Sequence, residues 1–123
     1  MKDNSPLEQF AIVQVDLEPT MGFEQQGVRP CVVVQTNGLS SAKTFLVAPL
    51  TSQKISRVYP HEVIVQPSKG NALKQVSKIK LDQIRVVDIR RIQKQLGFLD
   101  RDYHASVREA ILIAFDIHLN FSA

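Results

Sequence analysis

Two short segments carry residue types suited to phosphate chemistry. The first, Gly22-Phe23-Glu24-Gln25-Gln26-Gly27-Val28-Arg29-Pro30, is a polar stretch with a carboxylate and a guanidinium that leads into an apolar run. The second, Pro49-Leu50-Thr51-Ser52-Gln53, sets two hydroxyls directly after another apolar run. If the ends of those runs are neighbours, Arg29 presents a planar fork of donors to a phosphate. Thr51 and Ser52 then add short hydroxyl donors beside it. The same residues also fit an Arg29–Glu24 ion pair and a hydroxyl-capped turn, and residue types alone leave both readings open.

Other catalytic patterns are absent. The chain has no GxxxxGK[ST] phosphate loop, no GxGxxG, no HExxH and no CxxC. His61, His104 and His118 are far apart without ligand spacing, so no metal site and no cofactor is expected. Cys31 opens the run Cys31-Val32-Val33-Val34, which predicts a buried structural thiol rather than a nucleophile. As the only cysteine it makes no intrachain disulfide and no Cys-rich zinc site, which fits a reducing compartment, the cytoplasm.

The elements that must position these residues are those of a small domain. With 123 residues, 44% hydrophobic and 22% charged, the composition is globular, and a single domain over residues 1–123 is expected. No apolar run approaches the roughly 20 residues of a membrane helix. Met1 to Pro6 lacks an apolar core, so no secretory signal is expected, and residues 1–9 read as a flexible extension. The net charge is only +3, but from Lys69 to Lys94 eight basic residues face two acids. Such a stretch attracts a polyanion, or is simply a solvated face.

Strands are predicted over residues 11–17, 31–34, 44–50 and 62–65, with at least one more between Ile79 and Val87. Asn37-Gly38 marks a turn. Asp88 to Leu96 reads as a short helix ended by Gly97. Asp100 reads as the N-cap of a longer helix on which Tyr103, Val107, Ala110, Ile111, Ala114 and Ile117 form one stripe. Leu112, Ile113 and Phe115 fall off that stripe, either packed within the chain or on a dimer face. Strands followed by helices, without βαβ alternation, predict an α+β fold on a small barrel or compact antiparallel sheet.

Five segments in order resemble the MazF/PemK (Kid) toxins: Asp16-Leu17-Glu18-Pro19-Thr20, Gly22-Phe23-Glu24-Gln25 with Gly27-Val28-Arg29-Pro30, Pro49-Leu50-Thr51-Ser52, Tyr59-Pro60-His61-Glu62-Val63 and Asp82-Gln83-Ile84-Arg85. The resemblance implies an SH3-like small β-barrel of antiparallel strands with a C-terminal helix and short accessory helices. It implies the toxin of a type II toxin–antitoxin system: a homodimer, held by a cognate antitoxin, that cleaves single-stranded RNA without a metal. The family's catalytic arginine and threonine fall on Arg29 and Thr51, and its loop glutamate on Glu24. Gln25, Ser52, Gln53, Lys54, Arg57, Lys80 and Arg85 become candidates for RNA contact. A gyrase-directed toxin of the CcdB type and a catalytically silent RNA-binding module are the alternatives on the same fold. One departure stands out: Phe10-Ala11 occupies the place of the family's Gly-Asp.

Overall fold

The computed structural model describes residues 7–39 and 43–119. Among these residues seven strands, β1 (Ala11–Asp16), β2 (Val28–Val33), β3 (Thr44–Thr51), β4 (Glu62–Val65), β5 (Ser77–Lys80), β6 (Arg85–Asp88) and β7 (Ile92–Phe98), precede one α-helix, α1 (His104–Ala114). All pairings are antiparallel, in the order β4-β5-β3-β2-β1-β7. The hub is β3. One edge pairs with β2, while the other pairs with β6 through Thr44 to Val47 and with β5 through Leu50 and Thr51. The α+β class is as expected from the sequence, although among the described strands the ladder does not close into a barrel.

The central strands read as unbroken apolar runs because both faces of the sheet are covered. Side chains alternate along a strand. Ile12, Val32, Ala48 and Leu50 therefore enter one cluster, with Val63, Ile79, Leu99, Val107 and Ala110. Their neighbours Val13, Val15, Cys31, Val33, Phe45 and Val47 enter another, with Leu7, Leu17, Val87 and Ile92. No polar face is left to break the runs. Of the extension expected at 1–9, residues 1–6 lie outside the described set; Leu7 is buried and Gln9 bonds to Asn37 and Val34.

The helix expected over Asp88–Leu96 is not there. Ile89–Arg91 makes one 3-10 turn, its first residue following Asp88, whose carboxylate accepts the Arg90 N–H. Strand β7 then runs along β1 with two register shifts. The four-residue spacing of Ile92 and Leu96 imitates a helical face, but it arises on a mostly exposed edge strand. Gly97 is no helix stop: a Cβ there would meet the Gly70 carbonyl oxygen at 2.4 Å, so glycine allows two backbones to touch.

The longer helix begins after a 3-10 turn at Arg101–Tyr103 and ends at Ala114, leaving Ile117 beyond it. Asp100 precedes the turn, yet its carboxylate caps nothing. It accepts instead from Asn71 Nδ2 at 2.8 Å, satisfying a fully buried amide. Val107 and Ala110 are buried against the sheet, whereas Ile113 and Phe115 are exposed.

Phe10 stands in the left-handed region, at φ +73°, a conformation that glycine adopts without strain. Its backbone ties two elements, donating to the Val33 carbonyl and accepting from the Leu99 N–H. The ring is buried, stacks on His104 with centroids 3.7 Å apart, and carries the Arg108 guanidinium 5.1 Å from its centroid. Packing thus offsets the strain. Phe10→Ala should cost about 3–5 kcal/mol. Phe10→Gly should cost roughly 1 kcal/mol less than the alanine variant, the reverse of the usual order. Urea unfolding midpoints of the two variants check this.

Candidate active site

The pairing of β2 with β3 brings the two chemistry-bearing segments together. Cys31 faces Pro49. The same antiparallel register carried two residues further sets Arg29 opposite Thr51. Arg29 is half-buried, its Nε donating to Gln26 O at 2.8 Å and its Nη1 to Leu50 O at 3.2 Å. Both carbonyls lock the guanidinium plane, and among the described residues Nη2 has no partner. Thr51 is 5% exposed, and its Oγ1 accepts the Gln53 N–H at 3.1 Å. The hydroxyl hydrogen is therefore free to donate elsewhere. Of the two arrangements open in the sequence, the hydroxyl-capped turn is present but the Arg29–Glu24 ion pair is not.

Glu24 serves the loop between β1 and β2. Its Oε1 accepts the Met21 N–H at 2.7 Å while its own N–H donates to Met21 O at 3.1 Å, closing the tip from both sides. Gly22 sits inside this turn at φ +58°, a conformation that suits glycine. The base of the loop is closed by Leu17 N–H on Gly27 O. Arg85 holds Leu17 O, and Arg91 holds the Asp16 and Glu18 carbonyls. Gln83 grips the flank, its Oε1 accepting from Gln25 N at 2.6 Å and its Nε2 donating to Phe23 O at 3.2 Å. Anchorage is therefore independent of Phe10-Ala11, which lies at the opposite end of β1.

Two grooves meet at Arg29 and Thr51. One, of about 400 Å³, gathers Glu24, Gln25, Gln53, Lys54 and Lys80 of the expected contacts, and adds Lys78 and Gln83. The other, about 500 Å³, holds Ser52 with Lys74 and Lys94. Two expected contacts lie outside both. Arg57 stacks its guanidinium 5.2 Å from the Tyr59 ring centre, and Arg85 is engaged beneath the loop. Lys78 belongs to the basic stretch read from the sequence, whereas Gln83 is not among the residues expected there. The i, i+2 spacing of Lys78 and Lys80 puts both on one strand face, but no local signal marks Gln83.

Below the lysines lies Glu62, nearly buried, with Oε1 taking Lys78 Nζ at 3.1 Å and Oε2 taking Lys80 Nζ at 2.8 Å. Burial alone would push this carboxyl up. The Lys80 hydrogen bond, the Tyr59 N–H and the Lys78 hydrogen bond outweigh it and bring the pKa down to about 2. His61, Glu62 and Asp82 approach within 4.8 Å of one another, but both Glu62 oxygens are already spent on ammonium groups. Burial pushes the Cys31 thiol up to about 12 despite Arg29 and Arg85, so the cysteine is inert, as expected from its run.

Over residues 8–115 the sequence matches the PemK-like, MazF-like toxins of type II toxin–antitoxin systems, and the chain belongs to that family. Among its relatives is Endoribonuclease MazF of Staphylococcus saprophyticus, 35% identical over 104 residues that span 84% of this chain and 86% of the relative. MazF from Deinococcus radiodurans superposes with a TM-score of 0.74 at 26% identity, covering 93% of this chain and 100% of that one. A mycobacterial endoribonuclease solved in complex with its cognate antitoxin shares the fold, with a TM-score of 0.75 at 16% identity over 93% and 99% of the two chains. Among the described residues no helix is long and apolar enough to cross a membrane.

The Glu62 cluster has a measurable signature. A carboxyl whose folded pKa is depressed stabilises the fold above its unfolded value, and that stabilisation is lost as pH falls through the folded value. The window here runs from about 4.5 down to about 2. The loss should be on the order of 3 kcal/mol. Glu62→Gln should be destabilised at pH 7 and lack this part of the acid dependence, read as the difference between the two proteins' unfolding free energies across that window.

Proposed function

We propose that this endoribonuclease toxin cleaves single-stranded RNA, messenger RNA included, without a metal, using the substrate's own 2′-hydroxyl as nucleophile. The oxygen gives up its proton and attacks the adjacent phosphorus. The bond from phosphorus to the 5′-oxygen breaks, and the leaving 5′-oxygen takes a proton from water, so the products carry a 2′,3′-cyclic phosphate and a 5′-hydroxyl. The observation that carries this reading is the meeting of Arg29 and Thr51 where two grooves with basic residues join.

Each residue is given the task its chemistry allows. Arg29, already planar-locked by two carbonyls, clamps the non-bridging oxygens as charge builds on them. It is not the base, because a guanidinium does not deprotonate in proteins. Thr51 Oγ1 donates its free hydrogen to the phosphate. Glu24, which lines the groove with its Oε1 held by the Met21 N–H, accepts the 2′-hydroxyl proton on its other oxygen. Lys54, Lys80, Gln25, Ser52 and Gln53 hold the strand on either side of the scissile phosphate. Arg57 and Arg85, being engaged elsewhere, are given lesser parts.

The family further supports a homodimer, a cognate antitoxin that covers the groove, and action in the cytoplasm, where messenger RNA is found. Exposed Ile113, Phe115, Ile117 and Leu119 supply apolar surface for a protein contact.

Cleavage of a long single-stranded RNA in EDTA tests the reading, with product ends mapped. The wild type should cut at recurrent sites and leave cyclic phosphates. Arg29→Ala and Thr51→Ala should each slow cutting about 100- to 1,000-fold, as for loss of one transition-state donor. Equal cutting by either variant, or a requirement for added metal, would sink the proposed chemistry. RNA bound by the folded wild type but never cut would favour the silent module.

A further inference from the structure

Among the described residues Phe23 is the most exposed large apolar side chain, at 100%. Solvent exposure of a whole aromatic ring forgoes the burial that normally retains one. Its backbone, by contrast, is held firmly. It occupies the turn closed by Met21 and Glu24, and its carbonyl accepts from Gln83. The ring is thus projected into water from a braced support.

Its surroundings differ on the two sides. It lines the cationic groove with Arg29, Lys54, Lys78 and Lys80. It also lines a groove of about 600 Å³ whose walls include Leu17, Pro19, Met21 and Ile84. That second groove also carries Gln25, Asp82, Gln83 and Arg85, so a ligand fitted to this boundary is anionic on one side and presents a flat face with polar edges on the other. An unpaired nucleotide has that character.

We infer that Phe23 is the platform on which an unpaired RNA base next to the scissile phosphate stacks. The inference rests on the nuclease reading for its placement and adds to it a residue that grips the base rather than the backbone. Stacking needs only a π-face, so Phe23 adds affinity for unpaired RNA of many sequences. Base-paired RNA keeps its bases in the helix and gains nothing from the ring.

The chain contains no tryptophan, so Phe23→Trp creates a single fluorescent reporter at this position. It should be titrated with single-stranded RNA fully 2′-O-methylated, which cannot be cut, and with an abasic chain of equal length. Saturable quenching by the first and none by the second is expected. Phe23→Ala should weaken binding of the base-bearing strand about 5- to 150-fold. It should leave the abasic chain's affinity unchanged, and Phe23→Tyr should restore the wild-type value. Binding without quenching, equal quenching by the abasic chain, or an unaltered affinity in Phe23→Ala would overturn the inference. Quenching by a protein whose wild type never cuts RNA would leave the platform standing and remove the nuclease. Cutting in EDTA by the wild type without quenching in the reporter would do the opposite.

Discussion

The register of β2 against β3 is the constraint on which the site depends. Arg29 and Thr51 are 22 positions apart in the chain, and neither attracts the other. They meet because Cys31, Val32 and Val33 are buried opposite Pro49, Ala48 and Val47. A slip of one residue would turn every one of these side chains to the opposite face. With a hydrophobic cluster on each face, such a slip would exchange two differently shaped sets of side chains. The core therefore sets the geometry of the Arg29–Thr51 pair from a distance.

Around that fixed pair the polar groups are arranged to hold position rather than to neutralise charge. Arg29 spends two N–H groups on main-chain carbonyls, and the loop carrying Glu24 is held by Gln83, Arg85 and Arg91. Bonds of this kind cost little charge, because carbonyls do not titrate. They leave the cation intact while removing its rotational freedom, which is what stabilisation of a developing anion requires.

Much of this was legible in the sequence, for reasons that differ by element. Strands β1, β2, β3 and β4 announce themselves because burial on one or both faces demands β-branched apolar residues. The juxtaposition of Arg29 and Thr51 was legible because each stands at the margin of such a run. Strand β7 was not, since most of this edge strand is exposed and its two aliphatic residues, Ile92 and Leu96, fall four apart as on a helical face. Loop anchorage was also invisible. Gln83 reaches 58 residues along the chain to Gln25, through a side chain whose type says nothing about a partner. Likewise Asp100, at the right place for a cap, is diverted by a buried amide that only the fold brings near.

Glu62 has a consequence for how the groove is felt from a distance. Lys78 and Lys80 together share one carboxylate, so the trio contributes one net positive charge rather than two. A polyanion approaching this surface displaces fewer condensed ions than a tally of lysines suggests. Its attraction accordingly depends less on ionic strength, and more on short-range fit, than the basic stretch from Lys69 to Lys94 would imply.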